Sequence, residues 1–119
     1  ARYDAALAQM PALTLPTVRE GVAHAYHLYP VLLNMEMLRV DRRQVFEALR
    51  AEGIGVNVHY IPVYWHPYYV AQGYERGACP VAEDAYMRLL SLPIFPDMTE
   101  ADQDDVLAAL EKVLAAYRR

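Results

Sequence analysis

Cysteine and lysine are nearly missing from this chain: Cys79 and Lys112 are the only ones in 119 residues. A single thiol forms no internal disulfide, and without a Cys-x-x-Cys pair there is no thiolate set for zinc, so a reducing cytoplasm is the expected compartment. Cys79, in the turn Gly77-Ala78-Cys79-Pro80, is expected to be a small half-buried hydrophobe. The other ten of the eleven basic residues are arginines, which leaves Lys112 as the one side chain able to act as an amine nucleophile. Long apolar runs are missing too, and nothing approaches the roughly 20 residues of a membrane span. Basic clusters stop at the pairs Arg42-Arg43 and Arg118-Arg119 in a chain of net charge −4, so the cationic face that a phosphate backbone requires is absent. Neither nucleic acid nor membrane is an expected partner. The start at Ala1 has no basic-then-apolar leader pattern and is expected to be internal to a longer protein.

What is present is apolar material: 55% hydrophobic against 22% charged residues is enough for one packed core and excludes a disordered chain. One domain over residues 1–119 is expected. Tyr3, Leu7 and Met10 space a helix over 2–10 that stops before Pro11, and residues 11–21 read as an extended connector. His24 to Leu33 is apolar at both parities, as in a central strand covered on both faces, although Pro30 removes one ladder donor and implies a bulge or a free edge. Asp41 with Gln44 predicts a capped helix ending at Gly53. Ile54, Val56, Val58 and Tyr60 alternate with Gly55, Asn57 and His59, which predicts a strand over 54–60. Residues 61–74 form an aromatic loop, 80–90 a helix, and Leu92 to Phe95 a short strand. Thr99 with Asp102 starts a last helix whose stripe is Val106, Leu107, Leu110, Val113, Leu114 and Tyr117. The expected fold is α+β: a small antiparallel or mixed sheet of about three strands, with helices packed on one face.

Several residues invite a functional reading. His24 and His27 lie three apart and point to opposite faces of a strand, so they do not chelate one ion, and no metal site is expected. Ser91 lacks the Gly-x-Ser-x-Gly elbow of a nucleophile. The acid pairs Glu83-Asp84 and Asp104-Asp105 read as solvated helix faces. His59 is open to two readings, a strand-end histidine bonded to a neighbouring carbonyl or the rim of a cleft. The aromatic loop is likewise either a satellite cluster or a wall of that cleft, since five of its fourteen residues are Tyr or Trp.

The blocks His24-Ala-Tyr-His-Leu-Tyr-Pro-Val, Gly53-Ile-Gly-Val-Asn-Val-His-Tyr-Ile-Pro-Val, Pro67-Tyr-Tyr, Cys79-Pro-Val-Ala-Glu and Leu90-Ser-Leu-Pro-Ile-Phe-Pro resemble, in order and spacing, the C-terminal part of the DegT/DnrJ/EryC1/StrS family of pyridoxal-phosphate-dependent sugar aminotransferases. Within it the chain looks most like enzymes that aminate 4-keto-6-deoxy UDP-sugars for pseudaminic-acid-type glycans. The resemblance implies the small C-terminal domain of a fold-type-I aminotransferase. The large domain of such an enzyme holds the cofactor and the lysine that carries it; here Lys112 sits on the last amphipathic helix, and there is no glycine-rich phosphate cradle. The chain alone is therefore expected to bind no cofactor and to have no catalytic residue. By the same resemblance, His59, Tyr60, Tyr64, His66 and Tyr69 are substrate-side residues for a nucleotide sugar, with Tyr64 where relatives commonly have His. The implied partners are the cofactor domain and a second copy of the protein. A free-standing carbohydrate-binding module and a non-catalytic dimerisation remnant are the alternatives.

Overall fold

The computed structural model describes residues 2–119. Its elements are α1 (Arg2–Leu7), β1 (Leu13–Thr14), β2 (Tyr29–Leu33), α2 (Arg42–Ala51), α3 (Pro67–Ala71), α4 (Pro80–Arg88), β3 (Leu89–Leu92) and α5 (Glu100–Tyr117). Two 3-10 turns, Met35–Met37 and Val63–Trp65, join them. Helices begin where the sequence offers caps. The Asp41 carboxylate accepts the Gln44 N–H at 2.9 Å while the Gln44 side chain accepts the Asp41 N–H at 3.2 Å. Thr99 and Asp102 close the same reciprocal box on α5. Helix α2 ends as a Schellman turn, with Gly53 N–H on the Arg50 carbonyl and Ile54 N–H on the Leu49 carbonyl. Gly53 has φ +82°, which an L side chain adopts only under strain.

The sheet is antiparallel throughout in the order β1-β2-β3, so β2 is central as expected. Its third strand is not the one predicted. Residues 54–60 touch the outer edge of β3 through a single bridge, Asn57 to Ser91, and β1 from the connector takes the third place. The reason is local: Val56 N–H closes back on the Ile54 carbonyl, and Val58 N–H is taken by the Asn57 side chain at 2.8 Å. A side chain that satisfies its neighbour's N–H competes directly with a ladder. The predicted alternation survives in burial at Ile54 and Val56 but fails at Tyr60, which is 70% exposed.

Pro30 is tolerated in the middle strand by register. It pairs with Ser91, whose N–H and carbonyl both turn away from β2 to bond Asn57. That makes Pro30–Ser91 a non-hydrogen-bonded pair. The N–H that Pro30 lacks would point toward β1, which has already ended at Thr14, opposite Leu32. No bulge is needed. The predicted strand over 24–33 is shorter for the same part of the chain, since Tyr26 takes φ +47° and breaks the extended run. Helix α4 likewise stops at Arg88, and the predicted strand at 92–95 lies at Leu89–Leu92, ahead of Pro93.

Tyr29, Val31 and Leu33 bury one face of β2, whereas Pro30 and Leu32 on the other are only half-buried. Helices α1 and α2 pack on α5, α2 on β3, and α4 on β2. The buried stripe of α5 is Val106, Ala109, Leu110, Val113 and Leu114. The chain is thus α+β with a small antiparallel sheet.

Candidate functional site

The segment after Ile54 delivers the five predicted substrate-side residues to two different environments. His59 and Tyr60 stand edge to face, ring centroids 4.6 Å apart, across a cis peptide. The Nδ1 atom of His59 is buried without a hydrogen-bond partner, while Tyr60 projects outward. The carbonyl reading for His59 is therefore not met at Nδ1 among the described residues. His66 caps α3 through its carbonyl, which accepts from Tyr69 and Val70 N–H, and leaves its imidazole exposed. Tyr69 sits edge-on between Tyr68 at 5.3 Å and Tyr74 at 5.9 Å. These rings, with Val63 and Val70, form an exposed apolar surface on the loop.

Tyr64 faces the other way. Its hydroxyl donates to Glu83 Oε1 at 2.5 Å, and the same oxygen accepts the Gly77 N–H at 2.6 Å and the Trp65 indole N–H at 3.3 Å. Arg76 lies 4.1 Å over the Trp65 ring, which meets Tyr86 of α4 edge-on at 5.5 Å. Glu83 is therefore no solvated helix face. The Tyr64 hydroxyl above all, then the Gly77 and Trp65 donors and the Arg76 charge, hold its carboxyl below the usual carboxylate range. Lost hydration, then the hydrogen bond to Glu83 and the charge of that carboxylate, push Tyr64 up to about 12 from its ordinary 10.0. A phenol raised in the folded state stabilises it fully below its ordinary value and loses that contribution as pH climbs through about 12. Phenolate absorbance of the wild type minus that of Tyr64→Phe should accordingly rise near the upper value. A difference transition at the ordinary tyrosine pKa would show that the Tyr64–Glu83 bond is not formed.

Sequence reasoning passed over Glu83 because nothing in the spacing of Tyr64, Trp65, Gly77 and Glu83 is periodic. The available signal was position: an acid in the first turn of a helix whose first residue is Pro80 faces back along the incoming loop. Cys79 is exposed rather than half-buried, as the residue preceding α4. Ser91 is buried in β3, its backbone paired with Asn57.

The residues that a covalently held pyridoxal phosphate would need do not fit this chain. Lys112 on α5 reaches across to α2, where its ammonium bonds both Glu52 oxygens at 2.8 and 2.7 Å, in an exposed pair. Held in an exposed ion pair, Lys112 lacks the desolvated pocket that activates a lysine amine as a nucleophile. A groove of about 710 Å³ runs between the Met35–Met37 turn, the start of α2 and α4. It includes none of the five predicted residues. Its arginines are engaged locally, Arg88 with Asp84 at 2.6 Å, Arg43 with Glu47 at 2.8 Å and Arg42 on the Tyr86 carbonyl. Among the described residues no His, Cys, Asp and Glu cluster is arranged for a metal ion, and no helix is long and apolar enough to cross a membrane.

Comparison with known proteins gives a consistent result. The chain is 41% identical over 115 residues to the spore coat polysaccharide biosynthesis protein SpsC of Bacillus subtilis, covering 95% of this chain and 30% of SpsC. It superposes with a TM-score of 0.81 on DesV of S. venezuelae, solved with a ketimine intermediate, at 30% identity over 94% of this chain and 29% of that one. It superposes with a TM-score of 0.83 on Helicobacter pylori PseC, an aminotransferase involved in the biosynthesis of pseudoaminic acid. Identity there is 25%, over 97% of this chain and 30% of PseC. The chain thus spans about 30% of the length of the curated relatives it matches. A model of the DegT/DnrJ/EryC1/StrS aminotransferase family matches residues 1–111, and the chain belongs to that family.

Proposed function

We propose that the chain is the C-terminal small domain of a pyridoxal-phosphate-dependent aminotransferase acting on a nucleotide-linked keto-sugar, and that it supplies the substrate-side wall of the site. The carrying observation is the exposed ring surface at Tyr60, Tyr68, Tyr69 and Tyr74 on a chain of this family. In this reading Tyr60 and Tyr69 lie against the sugar or base faces, and the His59 and His66 imidazoles meet hydroxyl and phosphate oxygens. Tyr64 stands behind them, its hydroxyl engaged by Glu83. A 4-keto-6-deoxy UDP-sugar of the pseudaminic-acid type is the proposed substrate, aminated from a donor such as glutamate. The likeness to PseC and the polysaccharide role in the name of SpsC support this.

In the larger part of the parent, pyridoxal phosphate would supply the amino-transfer chemistry between donor and sugar carbonyl. This chain's residues bind and orient that sugar. The chain alone, mixed with pyridoxal phosphate and glutamate, is expected to transaminate nothing. Assembled with the cofactor-binding part of its parent, it is expected to do so, and Tyr60→Ala in that assembly should raise KM for the nucleotide sugar about tenfold with kcat nearly unchanged. Turnover by the isolated chain, or an unchanged KM, would sink the reading. Glycan binding by the isolated chain without a nucleotide would instead support the free-standing module.

A further inference from the structure

Four of the five proposed substrate-side residues, Tyr60, Tyr64, His66 and Tyr69, lie in a stretch with no strand and only the five-residue α3 as a helix. Its backbone bonds are short-range, such as Trp65 N–H to the Pro62 carbonyl and Gly73 N–H to the Val70 carbonyl. Local turns of this kind fix the shape of a loop but not its place on the domain. That place is set where side chains reach across to α4, and the hydrogen bonds that do so converge on Glu83.

We propose that Glu83 is the positioning residue of this loop, its single Oε1 atom tying Tyr64, Trp65 and Gly77 to α4 and so aiming Tyr60, His66 and Tyr69. The proposal deepens the substrate-wall reading and rests on it for its functional meaning. The chemistry calls for a carboxylate. Three donors from two sites in the chain crowd one oxygen, and bonds to a charged acceptor are about twice as strong as neutral ones. Each donor is also prepared. Gly77 has φ +93°, a conformation that favours glycine and turns its N–H inward. The indole of Trp65 is clamped between the Arg76 guanidinium and the Tyr86 edge, and Tyr86 is itself backed by Arg42 at 4.7 Å. The charged and titratable groups around the carboxylate are Tyr64 on the 3-10 turn, Arg76 in the turn before α4, Cys79 beside Tyr64, and Arg42 of α2 behind Tyr86.

Trp65 is the only tryptophan, so its emission reports this contact. In the wild-type chain the emission should hold steady from neutrality down through the ordinary glutamate range and move to the red only below it. The sign follows from the lowered carboxyl: its contribution is present above the ordinary value and is lost as pH falls through the folded one. Glu83→Gln should show the red-shifted emission at neutral pH, no acid transition, and cleavage within 60–74 by an aromatic-specific protease at least about tenfold faster, with helical circular dichroism retained. Tyr64→Phe keeps the carboxylate and removes one donor, and should fall between the two. Glu83→Gln with wild-type emission, acid titration and cleavage overturns the proposal. So does Tyr64→Phe with wild-type behaviour, should Glu83→Gln not fold. None of these readouts needs a substrate, so an unchanged KM in Tyr60→Ala would remove the substrate-wall reading while leaving the loop tether standing.

Discussion

Leu110→Ala is expected to destabilise the fold by about 2–5 kcal/mol, measured as a lower denaturant midpoint at unchanged slope. Leu110 is fully buried at the middle of the α5 stripe and belongs to the same cluster as Leu7, Val31, Leu49 and Leu90, which come from α1, β2, α2 and β3. Helices α1 and α2 both pack on α5, so the space its side chain fills lies in a cluster shared by several elements. Truncation removes the transfer free energy of three carbons and leaves a cavity, because rigid neighbours on several elements cannot collapse into it together. Against a typical total of about 5–15 kcal/mol, the upper part of that range unfolds a large fraction of molecules on mild heating. Leu107→Ala, three positions earlier on the same helix and half-buried, should lose clearly less. Equal losses at the two positions would mean that α5 presents a different face to the sheet.

Tyr29→Ala should match that effect, at about 3–5 kcal/mol. Tyr29 is 2% exposed and is the largest of the fully buried side chains. It meets Tyr3 of α1 edge-on at 5.0 Å, lies nearly parallel to Tyr26 at 5.9 Å, and donates its hydroxyl to Asp4 Oδ1 at 2.6 Å. One side chain thus joins the central strand, the first helix and the loop in which Tyr26 holds a positive φ. Tyr29→Phe keeps the rings and removes the bond to a charged acceptor, which should lower stability by about 1.5–3 kcal/mol. Burial first, and the Asp4 carboxylate second, raise the Tyr29 phenol far above its ordinary value. The Tyr29→Phe difference in stability should accordingly be constant from neutrality up to the ordinary tyrosine range and shrink above it. A phenylalanine variant as stable as the wild type would place the whole effect in the rings.

The parts of this fold that could be read from sequence are those whose cause lies within a few residues. The Asp41–Gln44 and Thr99–Asp102 boxes and the Gly53 stop are each a local exchange of hydrogen bonds, and all three stand where expected. The strand over 54–60 misled because alternation reports burial, whereas a strand also needs free N–H groups, and Asn57 takes the one on Val58. Strand β1 lies within the expected extended connector, because two residues, Leu13 and Thr14, carry no period of their own. At the candidate site the residue types were legible and their orientation was not. Tyr64 and Tyr69 look equivalent in the loop, yet one turns to a carboxylate nineteen positions away and the other to neighbouring rings. A contact of that separation leaves no mark on local pattern. Lys112 shows the opposite case: its exposed place on an amphipathic helix is legible in the sequence, and the structure adds its pairing with Glu52.

Pro30 carries one more consequence. Beyond Thr14 the β1 side of β2 is an open edge, the kind of surface on which another chain can add a strand. At that edge the next position that would greet an incoming strand is Pro30, which has no hydrogen to donate. On the opposite side of the sheet, the outward N–H and carbonyl of Ser91 are already taken by Asn57. The sheet is thus blunted at these two positions against growth by backbone pairing.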